Sequence, residues 1–321
     1  MNNKILILGG DPNSVNSEII YKSWKKIKKI EKKNIILIAN YNLLKQQFKI
    51  LKYKIKINQI KNIDSPIICN RLNIINMPLV FKNPFKVSLN ESSRYVIASL
   101  NYAHKLMNDK KAKGIINCPI DKKLLKNKSN NGVTEYLANK CNVKKNSEVM
   151  MISNAKFSVA PLSTHIRIKD ITKKITLQTI IAKAITLNYG YKKIFGFKPS
   201  IGILGLNPHN GELRKKSEET NIIIPAIKKI KKKGINVNGP IVPDTAFISN
   251  YKRYDVIIGM YHDQVLTPFK ALFNFDAINI TLGLNYIRVS PDHGPAYDII
   301  KKNKANYSSL LKCIKFINKL N

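Results

Sequence analysis

The sequence predicts an α/β fold whose sheets consist largely of parallel strands. Strand-like and helix-like segments alternate along the chain, which is the pattern of parallel sheets covered by helices. The 321 residues, 44% of them hydrophobic, suffice for two domains with buried cores. No apolar run approaches the roughly 18 residues of a membrane helix. Because the short apolar run near the start reads as a strand and not as a secretory signal, we expect a cytoplasmic protein.

Hydrophobic spacing places the elements in chain order. Runs of consecutive Ile, Leu and Val are typical of buried strands, and apolar residues three or four positions apart are typical of helices with one buried face. Strands are predicted at residues 5–8, 35–39, 114–117, 157–162, 201–206, 256–260 and 277–282. Helices are predicted at residues 17–32, 91–108, 171–187, 218–233 and 307–319.

The net charge of +37 comes almost entirely from lysine. Arginine supplies only six of the 56 basic residues, whereas proteins that read nucleic acids depend on arginine forks for phosphates and bases. Lys, Asn and Ile, which share A/T-rich codons, are abundant along the whole chain, so we attribute the charge mainly to genome composition. We therefore expect no dedicated nucleic-acid or membrane partner. The four cysteines are scattered without a C-x-x-C pair, which predicts reduced thiols.

Three of the five histidines come directly after strand-like runs. They are His165, His209 and His262. In open α/β sheets the carboxyl ends of the strands carry the ligand site, and three imidazoles there suit a divalent metal that keeps one position open for substrate. For each histidine taken alone, a hydrogen-bonded loop residue is the alternative. The chain contains neither a glycine-rich dinucleotide fingerprint nor a P-loop.

Cationic and polar residues follow His262 in strand and loop segments. Lys270 and Arg288 are suited to hold a phosphate or a carboxylate, with a salt bridge as the alternative for Arg288. Asn279 lies in the last predicted strand. The loop Asp292-His293-Gly294 is bracketed by prolines; it is suited to contact a planar ring, and a plain tight turn is the alternative.

Taken in order, these motifs resemble the 4-hydroxythreonine-4-phosphate dehydrogenase family of vitamin B6 biosynthesis over nearly the whole chain. The Asn-Pro-His and Tyr-His-Asp-Gln blocks are highly specific. The matching segments are Gly10-Asp11-Pro12 through Glu18, Cys118-Pro119-Ile120-Asp121-Lys122, Gly132-Val133-Thr134-Glu135, Thr164-His165, Asn207-Pro208-His209-Asn210-Gly211-Glu212, Gly239-Pro240 through Asp244-Thr245, Met260-Tyr261-His262-Asp263-Gln264, Asn279-Ile280-Thr281-Leu282-Gly283-Leu284 and Asp292-His293-Gly294.

The resemblance implies an isocitrate/isopropylmalate dehydrogenase-like fold, in which two α/β/α lobes flank a cleft. One lobe would comprise residues 1–135 and 275–321 with the cofactor loop, and the other residues 136–274 with the metal ligands and dimer contacts. It also implies a homodimer that completes each active site at its interface, NAD or NADP as cofactor, and one divalent metal, Zn, Mg or Co. The implied site residues are the metal ligands His165, His209 and His262, the substrate contacts Thr134, Lys270, Asn279 and Arg288, and the cofactor contacts Asp292, His293 and Gly294.

The reaction implied by the resemblance is the oxidation of a small phosphorylated amino acid, 4-phosphooxy-L-threonine. The metal would lower the pKa of the C3 hydroxyl, and a hydride would pass from C3 to the nicotinamide. The product, 2-amino-3-oxo-4-phosphooxybutanoate, would lose CO2 to give 3-amino-2-oxopropyl phosphate for pyridoxal 5'-phosphate biosynthesis. Asp244 is the candidate general base, and a structural role is its alternative.

The chain departs from the family pattern at several positions. Val133 replaces a histidine that contacts substrate, and Asp121 replaces an asparagine. Ser14, Val15 and Asn16 replace loop glycines, Leu213-Arg214-Lys215 replaces Gly-Gly-His, and Pro295 replaces Thr or Ser. Two alternatives therefore stay open. One is a related metal-dependent dehydrogenase of a four-carbon sugar-acid phosphate, and the other is a degenerate, non-catalytic basic protein that binds nucleic acid in a salt-dependent way.

Overall fold

The computed structural model describes residues 3–125, 132–144, 147–274 and 276–320. The chain forms two compact units, which we call unit 1 (Met1–Lys140 and Asn285–Asn321) and unit 2 (Cys141–Leu284). The lobes expected from the sequence, with limits at 135/136 and 274/275, stay a prediction. Within the described residues, no helix is both long enough and apolar enough to cross a bilayer.

Strands and helices alternate through most of the chain, and the predicted α/β class is confirmed. The strands are β1 (Ile5–Leu8), β2 (Ile35–Ala39), β3 (Ile57–Ile60), β4 (Leu72–Asn76), β5 (Gly114–Asn117), β6 (Val149–Ser153), β7 (Ser158–Ser163), β8 (Ile201–Leu204), β9 (Val237–Ile241), β10 (Val256–Tyr261), β11 (Ile278–Leu282) and β12 (Arg288–Pro291). The helices are α1 (Asn16–Lys26), α2 (Lys29–Lys32), α3 (Tyr41–Ile50), α4 (Leu89–Asn108), α5 (Val133–Lys140), α6 (Leu177–Phe195), α7 (Ile224–Lys231), α8 (Pro243–Ala246), α9 (His262–Phe273) and α10 (Ser308–Lys319).

The helices predicted at 17–32 and 171–187 differ most from the structure, and the helix predicted at 218–233 is a π-helix, Glu219–Ile223, followed by α7. The helix predicted at 17–32 ends at Lys26, because Ile27 is extended, and only the single turn of α2 follows. The helix predicted at 171–187 begins later, at Leu177, because the Thr176 side chain accepts a hydrogen bond from the Thr179 backbone N–H and caps it there. It continues to Phe195 and ends at Gly196, whose φ of 86° suits glycine. Residues 172–174 form a short 3₁₀ helix instead.

Unit 1 contains a parallel sheet with the strand order β3-β4-β2-β1-β5-β12. Every residue of β1 and β2 is buried, as expected for central parallel strands that are covered on both faces. The predicted strands at 5–8, 35–39 and 114–117 are confirmed to the residue.

Unit 2 contains a mixed sheet with the strand order β11-β6-β7-β10-β8-β9. Its first two pairs are antiparallel, and the pairs β7/β10, β10/β8 and β8/β9 are parallel. Neighbouring parallel strands end at the same edge of a sheet, so β7, β10 and β8 deliver the residues that follow them to one edge. Those residues include the three histidines singled out in the sequence.

An aromatic cluster fills the core of unit 2 beneath α9. Phe269 is fully buried, and its ring stacks on that of Phe157 with 6.2 Å between the ring centroids. Val265, Leu266 and Phe247 belong to the same hydrophobic cluster. The helix that begins at His262 is therefore fixed by aromatic packing about two turns further along.

Phe269→Ala should destabilise the protein by about 3–5 kcal/mol, because it removes a buried ring and leaves a cavity. Leu272→Ala is the matched control on the same helix, since Leu272 is 43% exposed. Urea unfolding followed by circular dichroism measures both. Equal, small losses in the two variants would contradict this account of the core.

Candidate active site

His165 and His262 lie together at the carboxyl edge of the unit 2 sheet. His165 lies two residues after β7, and His262 opens α9 directly after β10. Their ring centroids are 5.5 Å apart. A ring nitrogen about 2.1 Å from a tetrahedral zinc ion puts the centroids of two coordinating imidazoles roughly 5 Å apart. The spacing of this pair therefore fits a shared divalent ion.

The Asp263 carboxylate orients the His262 ring. The distance from His262 Nδ1 to Asp263 Oδ1 is 2.6 Å. When Nδ1 carries the proton of this bond, Nε2 keeps its lone pair for a ligand. A carboxylate bonded to the far nitrogen is the usual support of a metal-binding histidine, so this contact also fits a metal ligand.

His209 lies in a left-handed turn after β8. The five residues from His209 to Leu213 all have φ between 49° and 60°, and only Gly211 among them is glycine. Non-glycine residues adopt this conformation at a cost of about 1–2 kcal/mol each. Among the described residues, no three His, Cys, Asp or Glu side chains form a group that could hold a metal ion. The structure thus brings two of the three predicted ligands together, and His209 does not complete a group of three.

A buried carboxylate, Glu219, holds the start of the His209 turn. It is fully buried and accepts hydrogen bonds from the backbone N–H groups of Leu206 and Asn207, at 2.7 and 2.8 Å, and from the Asn207 side chain at 3.0 Å. Burial by itself would raise the pKa of Glu219, but the hydrogen bonds from Asn207 and Leu206 outweigh it and lower the pKa. Glu219 was not predicted from the sequence, because its role depends on contacts with residues 12 and 13 positions away.

The predicted substrate contacts Thr134 and Arg288 lie together in unit 1. Arg288 on β12 is buried, and its guanidinium donates to Asn117 Oδ1 at 2.6 Å and to Thr134 Oγ1 at 3.2 Å. Burial lowers the pKa of Arg288 to about 10. Arg288 therefore holds Thr134 at the start of α5. Contact of either side chain with substrate stays a prediction.

Lys270, Asn279 and Asp244 are the other predicted substrate or catalytic residues, and all three belong to unit 2. Lys270 is half-buried on α9, and Asp244 is exposed in the first turn of α8. Asn279 lies on β11, and its Oδ1 is buried without a hydrogen-bond partner in the described part of the chain. Such an acceptor costs about 1–3 kcal/mol unless a donor satisfies it, which suits a residue that receives a ligand.

The predicted cofactor loop carries a second unpaired acceptor. His293 Nδ1 lies 2.9 Å from the Gly294 carbonyl oxygen, so Nδ1 carries the proton and Nε2 is an acceptor. That Nε2 is buried, and no hydrogen-bond partner is found for it in the described residues. The Asp292 backbone N–H donates to Ser309 Oγ at 3.0 Å and fixes the loop to α10. A ligand that donates a hydrogen bond to His293 Nε2 would satisfy this acceptor.

A tyrosine bridges two carboxylates next to this loop. The Tyr297 hydroxyl lies 2.9 Å from Asp11 Oδ2 and 2.8 Å from Asp121 Oδ2. The single proton of the Tyr297 hydroxyl can be donated to only one of these two carboxylate oxygens at a time. Burial raises the pKa of Asp11. Burial by itself would also raise the pKa of Asp121. Hydrogen bonds from the Lys123 backbone and the Tyr297 hydroxyl, together with the charges of Lys122 and Lys123, outweigh burial and lower this pKa. Of these two carboxyl groups, Asp11 therefore binds a proton more readily than Asp121.

Comparison with known proteins decides the family. A family model described as "Pyridoxal phosphate biosynthetic protein PdxA" matches residues 31–317 of the chain. The chain belongs to this family. A protein from Sulfurihydrogenibium sp. (strain YO3AOP1), named 4-hydroxythreonine-4-phosphate dehydrogenase, is 38% identical over 319 residues, which cover 97% of this chain and 96% of that protein. A protein of the same name from Aquifex aeolicus (strain VF5) is 37% identical and covers 100% and 99%.

A solved structure agrees with the PdxA assignment. The crystal structure of 4-hydroxythreonine-4-phosphate dehydrogenase from Klebsiella pneumoniae superposes with a TM-score of 0.85 at 26% identity, covering 98% of each chain. A further relative from Oceanobacillus iheyensis, provisionally named D-threonate 4-phosphate dehydrogenase, is 34% identical over 319 residues and covers 95% of this chain and 94% of its own length. PdxA-like sequences thus carry names for two related substrates.

Asp11→Asn tests the raised pKa of Asp11 beside Tyr297. A carboxyl group with a raised pKa contributes stability that is fully present below the unfolded value of 3.8 and is lost as pH rises through the folded pKa. The melting temperature of the wild type should therefore fall relative to that of Asp11→Asn as pH rises from about 4 to about 8. Asp64→Asn is the control, because Asp64 forms an exposed ion pair with Lys111. A difference between wild type and Asp11→Asn that does not change with pH would contradict the assignment.

Proposed function

We propose that this PdxA-family protein oxidises 4-phosphooxy-L-threonine with NAD or NADP and a divalent metal, in the cytoplasm. Full-length relatives at 37–38% identity carry the name 4-hydroxythreonine-4-phosphate dehydrogenase. The observation that carries the chemical part of the proposal is the His165–His262 pair, whose rings are 5.5 Å apart at the sheet edge. The product, 2-amino-3-oxo-4-phosphooxybutanoate, would then lose CO2 to give 3-amino-2-oxopropyl phosphate.

His165, His209 and His262 would hold the ion, Zn, Mg or Co, which when bound supplies a Lewis acid toward the C3 hydroxyl of the substrate. The nicotinamide supplies the hydride acceptor. The residues of the chain bind and orient: Lys270 and Asn279 from unit 2, and Thr134 held by Arg288 in unit 1, are proposed to bind the substrate. Asp292, His293 and Gly294 are proposed to bind the cofactor, with His293 Nε2 as an acceptor.

Two parts of the proposal rest on the family resemblance. A homodimer that completes each active site at its interface is one of them. The other is Asp244 as general base, which its exposed position at the start of α8 leaves accessible to solvent and ligands. Neither requires a nucleic-acid or membrane partner.

D-threonate 4-phosphate is the second candidate substrate. It lacks the amine of 4-phosphooxy-L-threonine, and the Oceanobacillus relative carries its name. Val133 supports D-threonate 4-phosphate as a candidate. It is the first residue of α5, next to Thr134, at the position where the family has a substrate-binding histidine. A panel of both substrates, assayed with wild type and Val133→His, separates the two.

NADH formation at 340 nm with 4-phosphooxy-L-threonine tests the proposal. Turnover should disappear after chelation and return when a divalent metal is added. His209→Ala should abolish turnover and retain the fold, because it removes a metal ligand. His104→Ala is the control, since His104 lies on α4 and bonds Tyr286 and Asn108. Near-normal turnover of metal-loaded His209→Ala would refute the metal assignment.

A further inference from the structure

We propose that unit 1 contains a second ligand site, which binds a phosphorylated pyridine apart from the predicted cofactor loop. The site is a cavity of about 600 Å³ between α3 and the segment that leads into β3. Cavities of roughly 300–1,000 Å³ are of the size that holds small-molecule ligands. The residues that line this cavity are Asn42, Lys45, Gln46, Phe48, Lys49, Tyr53, Ile55 and Ile57.

The cavity lies at one edge of the unit 1 sheet. Its lining includes Ile57, the first residue of β3, and β3 is the edge strand of the order β3-β4-β2-β1-β5-β12. The predicted cofactor loop follows β12, at the other end of this order. Neighbouring strands lie about 4.8 Å apart, so five steps put roughly 24 Å between β3 and β12. The cavity is therefore separate from the predicted cofactor loop.

One side of the cavity is apolar. Phe48 is buried, and its ring centroid lies 6.5 Å from that of Tyr53. Ile55 and Ile57 are half-buried and also line the cavity. Apolar and aromatic side chains of this kind provide a surface on which a planar ring packs.

The aromatic wall of the cavity is fixed by three contacts of Tyr53. Its ring stacks on the ring of Tyr21, with 4.0 Å between the centroids and 4° between the planes. Its backbone N–H donates to the Phe48 carbonyl oxygen at 2.8 Å, and its hydroxyl donates to Asn303 Oδ1 at 2.7 Å. A wall that is ordered before the ligand arrives lowers the entropic cost of binding.

The other side of the cavity is cationic. Lys45 and Lys49 lie one helical turn apart on the exposed face of α3, which puts their Cβ atoms about 5–6 Å from each other. None of the eight lining residues is acidic, and no salt bridge in the described part of the chain involves either lysine. Two like charges at this spacing destabilise a helix. A phosphate group between them would relieve that repulsion and accept hydrogen bonds from both ammonium groups.

The two sides together favour an anionic group on a planar ring. Pyridoxal phosphate biosynthesis, which the family description names, supplies one such molecule, a phosphorylated pyridine. Its ring would pack on Phe48, Ile55 and Ile57, and its phosphate would lie between Lys45 and Lys49. The side-chain amides of Asn42 and Gln46, also one turn apart on α3, are suited to bond polar substituents of the ring. A later compound of the pathway would thus bind to an enzyme of the same pathway.

Non-specific attraction of phosphate is the competing explanation, because lysine is abundant along the whole chain. It predicts that any exposed pair of lysines contributes equally to binding. Lys228 and Lys232 form a matched pair at the end of α7. They are also four residues apart and exposed, and neither lines the cavity.

The test is isothermal titration of the full-length protein with pyridoxine 5'-phosphate, which has no aldehyde and so forms no Schiff base with lysine. Wild type should bind it. The double variant Lys45→Met/Lys49→Met removes both cations at exposed positions and keeps good helix formers, so its Kd should rise at least about 10-fold. The double variant Lys228→Met/Lys232→Met should bind as wild type does. Inorganic phosphate, which lacks the ring, should bind wild type at least about 10-fold more weakly.

Each contrary result overturns a defined part of the proposal. No binding by folded wild type, or an unchanged Kd in Lys45→Met/Lys49→Met, would overturn the site. An equal loss in Lys228→Met/Lys232→Met would show non-specific attraction and overturn it as well. Equal affinity for inorganic phosphate would overturn the ring, and tighter binding of AMP at the same lysines would overturn the pyridine. None of these measurements uses turnover or a metal ion, so their failure is distinct from failure of the proposed function.

Discussion

The site in unit 2 depends on the parallel alignment of β7, β10 and β8 inside a buried sheet. These strands are neighbours and run in the same direction, so their last residues reach one edge. Burial fixes their register, since a slip would move apolar side chains out of the core. The polar residues that follow the strands must then satisfy their hydrogen bonds at that edge or leave them to a ligand. Ser163, Gln264 and Glu219 make hydrogen bonds to backbone groups there. The His165–His262 pair is suited to bind a ligand.

Several of the few carboxylates of this basic chain bind the backbone. There are 19 acidic residues against 56 basic ones, and some of the acidic side chains accept hydrogen bonds from main-chain N–H groups. Glu219 holds Leu206 and Asn207, and Asp255 accepts from the Ser200 N–H at 2.8 Å. Glu18 is buried and accepts from Lys22 Nζ and from the Ala305 N–H, both at 2.7 Å. Exposed ion pairs contribute little to stability, so the contacts of the buried Glu219 and Glu18 are the more consequential use of negative charge.

Local hydrophobic pattern predicted seven of the twelve strands in the described residues; β3, β4, β6, β9 and β12 were not predicted. The runs at 5–8 and 35–39 are apolar throughout, and the run at 114–117 is apolar up to the buried Asn117; the limits of all three were predicted to the residue. The helix start at Leu177 was missed because Ile171 and Ile175 have helical spacing, although the cap is Thr176. The left-handed turn at His209 has one glycine in five residues, so no composition signal marks it. The bridges of Tyr297 and Glu219 arise only when distant segments meet, and spacing along the chain does not reveal them.

The two-segment construction of unit 1 affects how the chain is made. The last strand of its sheet, β12, pairs with β5, but all of unit 2 lies between them in the sequence. Every residue of unit 2 is therefore synthesised before β12. Until then, the edge of β5 that pairs with β12 has no partner strand. Because domains generally fold as units during synthesis, unit 2 can fold before β12 is made. Unit 1 acquires its sixth strand, and the Ala305 contact of Glu18, only after all of unit 2 has been synthesised.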